Sequence, residues 1–149
     1  MKDYCILVAE DDADDRFLLQ AAFKENGFDD ALHFVENGVQ AMDFLLSLKY
    51  PAAFPRLILL DLNMPKKDGK EVLTDLQNHP EFAGVPVIIF STTHNETEMQ
   101  KCYDLGATSY IIKPDNFEKL LKIIADIHTN WIVPVDDQLA GRSVILNSK

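Results

Sequence analysis

A chain of 149 residues, 47% apolar and 26% charged, has the size and composition of one globular domain able to bury one full core. Its net charge of −10, from 14 basic against 24 acidic side chains, argues against a nucleic-acid partner, because phosphate backbones demand a clustered surplus of Lys and Arg. No apolar run approaches the roughly 20 residues needed to cross a bilayer, so no membrane association is expected. Met1-Lys2-Asp3-Tyr4 lacks a signal-peptide n-region, and lysine rather than glycine follows Met1, so a cytoplasmic protein without myristoylation is expected. Cys5 and Cys102 fall in apolar-periodic segments and read as buried, reduced thiols. His33, His79, His94 and His128 lack metal-ligand spacing.

Two periodicities alternate along the chain. Continuous apolar runs at 4–9, 57–60, 85–90 and 110–112, with a weaker one at 31–35, suit strands covered on both faces, as in a parallel sheet. Helical patterns lie between them. Gly27 closes the first helix and Gly106 the fourth, each where a left-handed residue is wanted. Asp68 is placed to cap the third helix, which His79-Pro80 stops. Thr93-His94-Asn95-Glu96 reads as a capping box opening the fourth. Phe117, Leu120, Leu121, Ile124, Ile127 and Trp131 form one stripe on the last. The fold class is therefore α/β: (βα) five times over, giving a doubly wound parallel five-stranded sheet of the flavodoxin-like order 2-1-3-4-5. Residues 1–131 form the domain. Residues 132–149 lack a convincing period and are expected to be a tail.

Ligands of open α/β sheets bind beyond the carboxyl ends of the strands, where strand order reverses. Those ends carry Glu10-Asp11-Asp12, Asp61, Ser91 and Lys113. With strands one and three as neighbours, several carboxylates converge, which is costly unless a cation joins them. Hard oxygen ligands suit Mg²⁺. An aspartate beside such an ion can accept a phosphoryl group, with Lys113 gripping the phosphate and the Ser91 hydroxyl donating to another oxygen.

The segments Ile6-Leu7-Val8-Ala9-Glu10-Asp11-Asp12, Leu59-Leu60-Asp61-Leu62-Asn63-Met64-Pro65, Val87-Ile88-Ile89-Phe90-Ser91-Thr92 and Tyr110-Ile111-Ile112-Lys113-Pro114 resemble the receiver domains of two-component response regulators. The likeness extends over residues 4–131, and four motifs in order are far more specific than any one alone. The Asp-Leu-Asn-Met-Pro-Lys-Lys-Asp-Gly stretch, with extra residues before strand three, is similar to the free-standing regulators that serve phytochrome-type and hybrid kinases. The resemblance implies Asp61 as phosphoacceptor, with Glu10, Asp11, Asp61 and the Asn63 backbone carbonyl as metal ligands. It implies Lys113 as the phosphate-binding lysine, Ser91 as the switch hydroxyl, and Tyr110 as the aromatic that turns inward with it. A cis Lys113-Pro114 bond is also implied. A histidine kinase or histidine phosphotransfer protein would be the donor. The signal would leave by protein–protein contact or phosphorelay, through a surface at about 97–106 and 110–131. Homodimer formation through that same surface is also expected.

Plainer roles compete at some positions. Asp12 suits a helix cap, with Asp15 in the first turn. Thr92 and Thr93 compete with Ser91. Tyr110 could be a half-buried edge-strand tyrosine, Trp131 packing, and Lys66-Lys67 a solvated turn. Two other functions share the ingredients. A haloacid-dehalogenase-type aspartate-nucleophile phosphatase also uses Asp, Ser or Thr, Lys and Mg²⁺, but with its nucleophile after strand one in an Asp-x-Asp pattern, where residue 63 here is Asn. A receiver-like scaffold without phosphorylation is the other.

Overall fold

The computed structural model describes residues 4–132; of the tail expected at 132–149, all but residue 132 lies outside them. Five strands, β1 (Ile6–Ala9), β2 (Leu32–Val35), β3 (Leu57–Leu60), β4 (Val87–Ser91) and β5 (Ser109–Ile112), alternate with five helices. These are α1 (Ala13–Glu25), α2 (Gly38–Ser47), α3 (Gly69–Gln77), α4 (Glu96–Asp104) and α5 (Phe117–Ile127). All pairings are parallel, and the sheet order is β2-β1-β3-β4-β5, as expected.

The uniform apolar runs have a simple cause: both faces of the sheet are covered. Leu7, Ala9, Ile58, Leu60, Val87, Ile89 and Tyr110 face α2, α3 and α4, packing on Leu45, Val72, Leu73 and Cys102. Ile6, Val8, Leu57, Leu59, Ile88 and Phe90 face α1 and α5, packing on Leu19, Phe23, Leu120 and Ile124. Alternate residues thus feed two cores, and neither face needs polar residues. The stripe on α5 behaves as its spacing predicts: Leu120, Ile124 and Ile127 are buried, and Trp131 is half-buried packing on the same cluster. Ile132 is fully buried there too.

Local signals place the helices. Asp12 caps α1 by accepting from the Asp15 N–H at 2.9 Å, and Gly27 follows that helix at φ +87°. Asp68 and Glu71 form a reciprocal capping box on α3. Gly106 follows α4 at φ +106°. The capping box expected at 93–96 is not there. Asn95 caps α4 through Glu98 N instead, because the Thr93 backbone is held by side chains of the site. Of the Lys66-Lys67 pair, Lys66 is the exposed turn residue, at φ +67°, while Lys67 pairs with Asp75 and its carbonyl accepts from Gly38 N at 2.9 Å. Cys5 and Cys102 are free thiols, Cys102 buried and Cys5 half-buried.

Candidate functional site

The register of the sheet decides which side chains meet at its carboxyl edge. Glu10, Asp61 and Lys113 continue the strand rows that face α1 and α5, whereas Ser91 continues the row that faces α2–α4. Backbone bonds fix their depth: Asp61 N donates to Ala9 O at 3.1 Å, Glu10 N to Val35 O at 3.0 Å, and Lys113 N to Ser91 O at 2.8 Å.

Glu10, Asp11 and Asp61 each offer a carboxylate oxygen within 4.8 Å of the others'. Glu10 and Asp61 are buried, and Asp11 is exposed. Burial pushes the Glu10 carboxyl up to about 7; Lys113 counters this, and the neighbouring Asp61 adds to it. Glu10 Oε2 accepts from Asp12 N at 3.2 Å. Its buried Oε1 lies 2.9 Å from Lys113 Nζ, the ion pair that counters its burial, and meets no further donor among the described residues. A set of carboxylates alone, converging within one crevice, fits a hard divalent cation. Lys113 Nζ sits over the cluster, 2.9 Å from Glu10, 3.0 Å from Asp15 and 3.2 Å from Asp61. Burial pulls its pKa down, but the three acids outweigh burial and hold it above the ordinary lysine value.

The loop after β3 is held closely. Asn63 N donates to Asp61 Oδ1 at 3.2 Å, and Gly69 N to Leu62 O at 3.0 Å. A Cβ on Gly69 would stand 2.5 Å from the Asp61 carbonyl oxygen, so only glycine lets α3 approach the acceptor strand this closely.

Ser91 and Tyr110 belong to the other face. Ser91 is fully buried, and its Oγ accepts from Thr93 N at 3.2 Å. Tyr110 is buried rather than half-exposed, and its hydroxyl donates to Thr93 O at 2.6 Å. Thr92 is exposed. Burial raises the Tyr110 hydroxyl, partly offset by Ser91. The cis bond expected at Lys113–Pro114 is absent: peptide bonds among the described residues are all trans, the form X–Pro favours intrinsically by about 0.5–1 kcal/mol.

Residue reasoning missed the contact of Asp15 with Lys113, treating that acid as a first-turn residue. A signal was present. Asp15 precedes Leu19, Ala22 and Phe23 at helical spacing, so it heads the inward stripe of α1 and must meet something polar.

A five-stranded 2-1-3-4-5 sheet with this acid cluster and lysine at its switch point defines a class. The family model of the response regulator receiver domain matches residues 6–125, and the chain belongs to that family. It is a phosphoryl-accepting response regulator, a signalling protein rather than a conventional enzyme. Response regulator Rcp1 of Synechocystis sp. is 37% identical over 132 residues, covering 87% of this chain and 90% of the relative. The probable methanogenesis regulatory protein FilR2 of Methanothrix harundinacea is 32% identical over 130 residues, covering 87% and 84%. Among solved structures, the phosphorylated cyanobacterial phytochrome response regulator RcpA superposes with a TM-score of 0.78 at 35% identity, covering 88% of this chain and 95% of its own. The Mn²⁺-bound form of Rcp1 superposes with a TM-score of 0.75 at 37% identity, covering 87% and 94%. Of these, RcpA and Rcp1 represent the phytochrome-associated subfamily that the stretch after β3 suggested. The phosphatase reading finds no support: the acceptor candidate follows β3, not β1. Among the described residues, no helix is long and apolar enough to cross a membrane.

Proposed function

We propose that Asp61 is the phosphoacceptor and that residues 1–131 act as a receiver domain, joined in its core by Ile132, with the rest of 132–149 as a tail. The observation that carries this is the convergence of Glu10, Asp11 and Asp61 beneath a single ammonium, Lys113. A carboxylate oxygen of Asp61 attacks the phosphorus of a donor phosphohistidine; the new O–P bond forms as the P–N bond breaks, and the imidazole leaves with the electron pair. Glu10, Asp11, Asp61 and the Asn63 backbone carbonyl would hold Mg²⁺, which when bound supplies charge neutralisation on the transferring oxygens. Lys113 donates to one phosphoryl oxygen and the Ser91 hydroxyl to another. In doing so Ser91 leaves the Thr93 N–H. Because Tyr110 holds the same residue's carbonyl, the β4–α4 loop and Tyr110 respond together, and the surface at 97–106 and 110–131 changes. Hydrolysis of the acyl phosphate at the same centre returns the chain to rest.

The donor would be a histidine kinase or histidine phosphotransfer protein. A phytochrome-type kinase is favoured, since a phytochrome response regulator is among the similar structures. A downstream protein, or a second copy of the chain, would bind the changed surface. Two free thiols support a cytoplasmic setting.

Acetyl phosphate with Mg²⁺, followed by intact mass, tests the reading. A phosphoryl adduct on the wild type that is absent from Asp61→Ala, and absent when the metal is chelated, is the expected result. An adduct that persists in Asp61→Ala would overturn it.

A further inference from the structure

Lys113 is shared among three acids, and one of them, Asp15, has no place in the metal cluster. The Asp15 contact joins α1 to the loop after β5 across 98 residues, at 3.0 Å, shorter than the 3.2 Å to Asp61. An ammonium has three N–H groups. Three carboxylates surround it at rest, so a phosphoryl oxygen can be gripped only if one of those contacts is released.

Exposure decides which contact goes. The side chains of Glu10 and Asp61 are 2% and 7% exposed, while that of Asp15 is 37% exposed. Stripping the counter-ion from a buried carboxylate is costly, whereas a partly exposed one can be returned to water. Asp15 and Lys113 also border one cavity of about 310 Å³, so their contact lies at an open edge of the site.

We infer that Asp15 is a positioning residue: the resting counter-ion of Lys113, which holds the ammonium at the mouth of the site and yields it to the phosphoryl group. The inference rests on Asp61 being the acceptor. It gives the resting state a built-in competitor. While Asp15 occupies Lys113, part of the positive charge that would draw an anionic donor is neutralised. The transfer itself is unaltered: with acetyl phosphate, the Asp61 O–P bond forms, the acyl O–P bond breaks, and acetate leaves with the electron pair.

The test follows phosphoryl uptake by intact mass over a range of acetyl phosphate concentrations, for wild type, Asp15→Asn, Asp15→Glu, Lys113→Ala and Asp15→Asn/Lys113→Ala. Asp15→Asn should lower the half-saturating concentration roughly two- to fivefold, the range of a partly exposed ion pair, and leave the saturated rate unchanged. Asp15→Glu should restore wild-type behaviour, and the gain should vanish in the Lys113→Ala background. In the metal-free protein, the Lys113 ammonium resonance should be protected from solvent exchange in wild type and lose protection in Asp15→Asn. A gain of equal size without Lys113, or an ammonium resonance indifferent to Asp15, overturns the inference alone. Wild type that takes no phosphoryl group overturns both the acceptor assignment and the inference built on it.

Discussion

Toward α1 and α5 the strand rows run out into Glu10, Asp61 and Lys113; toward α2, α3 and α4 they run out into Ser91, with Tyr110 two residues back in register. The first half is ionic and under tension. Buried acids share one ammonium, and the Glu10 carboxyl is pushed up to about 7. The second half is neutral and satisfied, with the N–H and the carbonyl of Thr93 each matched to a hydroxyl. The contrast divides the labour. A strained ionic centre gains the most from a new ligand, whereas a satisfied neutral network changes only when one of its members is drawn away. Phosphoryl capture belongs to one face and its readout to the other.

Three substitutions break the two halves separately. Gly69→Ala should be the most damaging, because the added methyl meets the Asp61 carbonyl at 2.5 Å and Leu62 Cα at 2.9 Å, both backbone atoms. A loss of about 3 kcal/mol is expected in urea unfolding, the upper part of the range for overpacking. A loss below about 0.5 kcal/mol would show that α3 need not approach the acceptor strand so closely.

Glu10→Gln relieves the ionic half. The Glu10 carboxyl titrates in the folded chain near 7 against an ordinary 4.5, so between those values only the unfolded chain ionises. Stability of the metal-free protein therefore falls as pH rises through this window. Lys113 does not offset this, since its pKa is raised and it stays charged throughout. Glu10→Gln should flatten the pH profile and stabilise the metal-free chain at neutral pH by on the order of 1–3 kcal/mol, while weakening divalent-cation binding. The lone tryptophan, Trp131, is half-buried and serves as the fluorescent probe. A variant as pH-dependent as wild type would refute the burden placed on Glu10.

Tyr110→Phe touches only the neutral half and should cost about 1 kcal/mol, the value of one hydrogen bond, with phosphoryl uptake unchanged. Loss of uptake in that variant would mean that the halves are not separable.

Much of this was legible in the residues, for physical reasons. Leu57–Leu60 was placed to the residue because every position is buried, and Asp68 and Gly27 mark helix ends by geometry that few other side chains supply. The edge strand β2 is only partly buried and gave a weaker pattern. Glu10, Asp61, Ser91 and Lys113 could be placed because strand register carries over to the next one or two residues. Asp15 could not be placed in the same way: which acid on a helix turns toward a lysine 98 residues away depends on how α1 packs against the sheet. The start of α4 was misjudged for a related reason. Thr93 is a good capping residue by type, but Ser91 and Tyr110 claim its backbone and hand the cap to Asn95.

The division of labour itself is tested by the amide resonance of Thr93, recorded before and after phosphorylation in wild type and in Ser91→Ala. Both proteins should acquire the Asp61 adduct. The Thr93 amide should shift in wild type as its Ser91 acceptor departs, and should stay where it began in Ser91→Ala. An equal shift in both would contradict the account, because the message would then be crossing the sheet without Ser91.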